Sequence, residues 1–95
     1  MQDTKLRILE TGLRLWRADQ PITARRIARE LDLTHGAVCY HSREWDGGLR
    51  DMIAYHAVEQ GEAKVIVALI AENHKHVRHM TNEEKQKYFN ILSHG

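Results

Sequence analysis

Two short helical segments, each preceded by a threonine, lie within residues 23–41 and constrain the fold more than any other feature. Thr23 can cap a helix over Ala24–Leu31, and Thr34 can cap a second helix that ends at about His41, because a threonine oxygen accepts from the amides of the first helical turn. Only a few residues separate the two helices. This layout is typical of a helix-turn-helix.

Side chains in this segment divide into a buried set and an exposed set. The buried contacts predicted to fix the angle between the helices are Ile27, Leu31, Leu33 and Val38. Ala28 supplies a small side chain where the helices cross, and Asp32 occupies the turn. Aspartate adopts the left-handed backbone of such a turn at lower cost than most residues. The arginines at positions 25, 26 and 29 face outward, a pattern that a merely solvated helix face would also give.

Helical periodicity continues on both sides of this segment. It predicts a first helix over Thr4–Arg17, and a long helix from about residue 49 to about residue 79 with a possible bend near Gly61. Thr81 and Glu84 have the spacing of a capping box and predict a last helix over residues 82–92. The sequence therefore predicts an all-α fold. A three-helix head in residues 1–48 precedes a helical dimerisation region in residues 49–95, within one compact domain.

Composition excludes several classes of protein. Cys39 is the single cysteine, so an internal disulfide is impossible, and we expect it to pack as a small buried apolar group. The longest apolar run, residues 65–71, is too short to span a membrane, and the N-terminus lacks the layout of a signal peptide. We therefore expect a cytoplasmic protein without a membrane partner. No catalytic motif is present, so we expect neither an enzyme nor a cofactor.

Three histidines near the end of the predicted long helix raise the question of a metal site. His76 and His79 would share a helical face, whereas His74 would lie off it, and no carboxylate completes the set. We therefore expect no metal, and basic groups suit the C-terminal end of a helix dipole.

Charge is distributed unevenly along the chain. Residues 1–43 carry a net charge of +3 and residues 44–95 carry −2, although the whole chain is only +1. The N-terminal half is therefore the candidate for contact with a polyanion.

Residues 4–53 resemble the DNA-binding domain of the TetR family. The resemblance rests on ILETGLRLW in the first helix and on ITARRIARELDLTHGAVCYHS across the helix-turn-helix. The matching positions are Ile8, Leu9, Leu15, Trp16, Thr23, Ile27, Ala28, Leu33, Thr34, Gly36, Ala37, Val38, Tyr40 and His41. Three residues depart from the pattern: Asp32 replaces the usual glycine, Cys39 a tyrosine and Ser42 a phenylalanine.

The resemblance implies a transcriptional regulator, which we expect to be a repressor. His35 would hydrogen-bond to bases, Ala37 would touch a thymine methyl group, and Gly36 would allow close approach of the backbone. Tyr40 and His41 match positions that usually hold the phosphate backbone.

Further phosphate contacts follow from charge and from helix ends. Thr34 can donate to a phosphate, and Arg43 lies just beyond the recognition helix. Thr23, Arg25 and Arg26 stand at the start of the preceding helix, where amide groups and positive charge favour phosphate.

The C-terminal half is predicted to form a homodimer. Residues 65–71 are apolar around the whole helix and therefore need cover on both sides. The predicted interface residues are Ile66, Leu69, Ile70, Val77, Tyr88, Phe89 and Leu92. Only about 40 residues follow the head, too few for the enclosed ligand pocket usual in the TetR family, so we expect no small-molecule effector. A dimer would recognise a palindromic DNA site.

The sequence is also compatible with other oligomeric states and functions. A monomer core would also explain the apolar run. A DNA-binding protein of plasmid or phage replication, partition or DNA packaging would share the same head, and a protein-interaction module could keep the fold without binding DNA.

Overall fold

The computed structural model describes residues 3–94, and every regular element in that range is helical, which confirms the all-α prediction. The α-helices are α1 (Thr4–Arg17), α2 (Ala24–Leu31), α3 (His35–Ser42), α4 (Gly48–Gln60), α5 (Ala63–Ala71) and α6 (Asn82–His94). A single 3₁₀ turn, Lys75–Val77, lies between α5 and α6. Within residues 3–94, no helix is both long enough and apolar enough to cross a bilayer.

The chain divides into two compact units, and the boundary falls inside α4 between Ile53 and Ala54. In the first unit, α2 packs against α1 and α3. In the second, α5 packs against α6 and the 3₁₀ turn.

Capping side chains begin the first three helices. The Asp3 carboxylate accepts from the amides of Lys5 and Leu6, and the Thr23 and Thr34 hydroxyls cap α2 and α3. Such caps satisfy amide groups that have no partner within the helix. The two threonine caps are therefore confirmed, and the Asp3 cap was not predicted.

Asp32 ends α2 with the left-handed backbone expected of a turn residue, at φ 56° and ψ 45°. The Leu33 amide then donates to the Ala28 carbonyl at 2.8 Å, which closes the helix end and turns the chain toward α3. Ile27 and Val38, one from each helix, are fully buried.

The prediction of one long helix over residues 49–79 is wrong. Gly61 has φ +69°, and the Glu62 amide donates to the Ala57 carbonyl at 3.0 Å, so α4 ends before α5 begins. Asn73, at φ 52°, follows the end of α5 in the same backbone region. The apolar run of α5 thus belongs to a separate short helix, with Val65 buried together with other members of the run.

The capping box before α6 is confirmed. The Thr81 amide donates to Glu84 Oε1 and the Glu84 amide donates to Thr81 Oγ1, both at 3.1 Å. The hydrogen bond from the Thr81 backbone, together with that of its side chain, holds the pKa of Glu84 below its usual value. The helix continues two residues beyond its predicted end at Leu92.

Candidate nucleic-acid interface

The candidate interface is centred on the first turn of α3. His35 and Gly36 are exposed, Ala37 is half-buried, and Val38 anchors the opposite side of the helix in the core. A β-carbon built on Gly36 would meet no heavy atom within 4 Å. The start of α3 therefore presents small side chains and one imidazole on an open surface.

The threonine caps shape the N-terminal ends of α2 and α3. Thr23 Oγ1 accepts from the Arg26 amide and Thr34 Oγ1 accepts from the Ala37 amide, each at 3.1 Å. Both threonines are exposed, and each hydroxyl that accepts an amide hydrogen still has its own hydrogen to donate to a phosphate.

His35 has an intramolecular neighbour that the sequence interpretation missed. Cys39 Sγ lies 3.7 Å from Nδ1 and 3.8 Å from Nε2 of His35. Cys39 is half-buried, so the expectation that it packs as a buried apolar residue is only partly met. The i, i+4 spacing of the two residues was the signal that could have revealed this contact.

An aromatic and basic cluster lies at the C-terminal end of α3. Tyr40 is 59% exposed. The Arg43 guanidinium lies over the Tyr40 ring, 4.4 Å from its centroid, and the half-buried His41 ring meets the same ring edge-on at 5.4 Å. Stacking of this kind holds a guanidinium in place while its nitrogen atoms remain able to donate.

Lys5 joins this cluster from the start of α1. It lines a shallow depression of about 210 Å³ together with Tyr40, His41, Arg43 and Glu44. Sequence reasoning missed Lys5 because only the packing of the folded head brings the first helix beside the end of the third. The depression brings together three basic side chains, one phenol and the Glu44 carboxylate, so its basic groups outnumber its single acidic one. Such basic side chains can bind an anionic group.

The arginines of α2 are not equivalent. Arg25 is exposed and makes no ion pair among the described residues, whereas Arg26 Nε lies 3.4 Å from Glu30 Oε1. The second oxygen of Glu30 pairs with Arg14 of α1. Arg14 and Arg26 thus share the carboxylate of Glu30.

The predicted dimer residues fall into two groups. Ile66, Leu69 and Val77 are fully buried within the single chain, so they belong to its core and have no surface to offer a second copy. The predicted residues that keep exposed surface are Ile70, Tyr88, Phe89 and Leu92. Ile91, which was not predicted, is also exposed, and α6 has no buried residue at all.

The three histidines do not lie on one helix, contrary to the expectation for His76 and His79. Asn73 follows the end of α5, and His74 caps the 3₁₀ turn by accepting from the His76 amide at 3.2 Å through Nδ1. The His76 ring lies between those of His74 and Tyr55, at centroid distances of 4.8 and 5.3 Å.

Comparisons of the chain with protein-family models, with curated proteins and with solved structures give no match. The resemblance to the TetR family therefore stays a prediction that depends on the motif residues themselves.

Proposed function

We propose that this protein is a sequence-specific regulator of transcription that binds double-stranded DNA through a TetR-type helix-turn-helix formed by α2 and α3. The observation that carries the proposal is the open first turn of α3, a helix that packs against α2 and carries the Tyr40–Arg43 pair at its other end. A recognition helix enters the major groove with its N-terminal residues at the base edges.

The bases would be read by the first turn of α3. The exposed His35 can donate to a guanine or an adenine acceptor, and the Ala37 methyl group can pack on a thymine methyl group. Gly36 adds no side chain, so the helix backbone can approach the base pairs closely.

The phosphate backbone would be held from two sides. One set is formed by Tyr40, His41, Arg43 and Lys5, whose basic groups could bind a phosphate at the depression that they line together with Glu44. A second set lies at two helix starts. It comprises Thr23, Arg25 and Arg26 at the capped end of α2, and Thr34 at the start of α3. Roughly three to five phosphate contacts per subunit would make binding strongly dependent on salt.

A homodimer on a palindromic site completes the proposal. Helix α6 carries an aromatic and two aliphatic side chains that remain 38–46% exposed, namely Phe89, Ile91 and Leu92. Apolar surface of this kind gains about 25 cal/mol per Å² when it is removed from water. A second copy would cover it and place two recognition helices about one DNA turn apart. A dimer seated on a promoter would exclude other proteins, which favours a repressor.

Replacement of Leu92 with glutamate should convert the dimer to a monomer. The exposed part of Leu92 would lie in the interface, where an unpaired carboxylate costs several kcal/mol. Sedimentation velocity at several concentrations measures the outcome, and circular dichroism checks that the helices persist. Asn90→Glu is the matched control, since it adds the same charge to another exposed position of α6. Equal dimerisation by both variants would contradict this interface.

Selection from random DNA duplexes tests the function itself. The wild-type protein should enrich a palindromic motif, and its affinity should fall steeply between about 50 and 200 mM salt. His35→Ala should alter the enriched motif at the bases it reads and cost about 1–3 kcal/mol on the original site. A salt-independent affinity would overturn the DNA proposal, and an unchanged motif for His35→Ala would overturn the role of His35.

A further inference from the structure

We propose that Glu30 is a positioning residue that orients the Arg26 guanidinium toward a DNA phosphate. The inference rests on the proposed function and adds to it an acidic residue that supports binding to a polyanion. Glu30 carries the wrong charge for contact with DNA, so neither charge nor motif in the sequence assigns it a part in binding.

The geometry of the pair supports this role. Glu30 Oε1 lies 3.4 Å from Arg26 Nε, across one turn of α2, and the Arg26 side chain is only 32% exposed. The Nη nitrogens of Arg26 make no hydrogen bond to another described residue. A carboxylate at Nε therefore leaves the far edge of the guanidinium, with both Nη groups, for a second acceptor.

Glu30 is itself fixed by a second helix. Its Oε2 atom pairs with Arg14 of α1, so one carboxylate spans two arginines from two elements. Glu30 is an exposed residue, and its two ion pairs, one through each carboxylate oxygen, restrict its rotamers. The chain Arg14–Glu30–Arg26 thus orders a guanidinium in the first turn of α2, beside the amide end capped by Thr23. Pre-ordering of this kind reduces the conformational entropy lost on binding.

An argument from net charge alone predicts the opposite effect of Glu30 removal on DNA affinity. If Glu30 only neutralised nearby arginines, its removal would make the head more positive and tighten DNA binding. If it positions Arg26, its removal should weaken binding although the chain becomes more positive. The sign of one substitution therefore separates the two roles.

The experiment measures the affinity of Glu30→Gln for the selected duplex across a salt series. We expect an affinity roughly 3–10-fold lower than that of the wild type, and a salt slope smaller by about 0.9, which corresponds to one phosphate contact. Glu10→Gln is the control for charge, because Glu10 is exposed on α1 and makes no ion pair among the described residues. It should bind as tightly as the wild type or slightly more tightly.

Two further variants separate positioning from a general loss of structure. Arg14→Gln removes the link to α1 but keeps the Glu30–Arg26 pair. It should therefore lower DNA affinity by less than Glu30→Gln does, with a salt slope between those of Glu30→Gln and the wild type. In an Arg26→Ala background, Glu30→Gln should cause no additional loss, since its effect acts through Arg26.

The inference is overturned if Glu30→Gln binds as tightly as the wild type, or if it still weakens binding in the Arg26→Ala background. Those results would leave the proposed function intact, because the wild type would still bind DNA with a steep salt dependence. A wild type that binds no duplex would overturn the proposed function and this inference together.

Discussion

Replacement of Gly12 with alanine should destabilise the protein by about 2 kcal/mol, although alanine is the better helix former. A β-carbon on Gly12 would lie 2.2 Å from Ile53 Cδ1 and 2.8 Å from Ile53 Cγ1. Ile53 is fully buried, so it has no open space into which to move. The overlap should therefore outweigh the gain of roughly 0.5–1 kcal/mol that alanine brings in a helix interior.

Urea unfolding followed by circular dichroism measures this effect, and a smaller partner residue tests its cause. Ile53→Val removes the Cδ1 atom that Cβ would meet at 2.2 Å. The double variant should therefore be more stable than Gly12→Ala alone, even though Ile53→Val by itself costs about 0.5–1.5 kcal/mol. An unchanged unfolding midpoint for Gly12→Ala would show that the close packing of α1 on this part of α4 does not limit stability.

The parts of the fold that the sequence predicted correctly depend on local interactions. Helices α1 and α2 have the predicted bounds, because capping groups and breakers lie within a few residues of each helix end. The same reason explains the left-handed Asp32 and the capping box of Thr81 with Glu84. The capping box joins side-chain and backbone groups three residues apart, and the end of α2 depends on bonds from the Asp32 amide to the Ala28 and Arg29 carbonyls.

The incorrect predictions concern tertiary packing. An apolar run is compatible with one long helix or with a separate short helix, and the chain breaks between α4 and α5 at Gly61, which has a positive φ. That choice buries Ile66, Leu69 and Val77 inside one chain, where the sequence placed them between two chains.

The candidate site likewise contains residues that local sequence predicts and residues that only tertiary packing brings together. Its residues on α3 could be named from the motif, whereas Lys5 and the Arg14–Glu30 pair depend on how α1 packs in the head. Residues 14 and 30 are separated by 16 positions, a distance at which no helical periodicity connects two side chains.

Replacement of Gly36 with glutamate should reduce DNA affinity by roughly 100-fold or more and leave the fold intact. Gly36 lies in the first turn of α3, is exposed, and has open space where a β-carbon would stand. A carboxylate in the first turn of a helix is favourable for the helix dipole, and removal of a glycine from a helix gains about 0.5–1 kcal/mol. The unfolding midpoint should therefore stay the same or rise.

DNA binding should respond in the opposite direction because the new side chain would project from the reading surface. It would prevent close approach of α3 and bring a negative charge toward the phosphates and the electronegative base edges. Gly36→Ala, which adds only a methyl group, should lose about tenfold in affinity. Fluorescence anisotropy with the selected duplex measures both variants.

Asn90→Glu has the same total charge as Gly36→Glu but carries it on α6, so it should bind DNA within about threefold of the wild type. If Gly36→Glu bound as well as Asn90→Glu, the first turn of α3 would not face the DNA, and the recognition surface would have to lie elsewhere on the head.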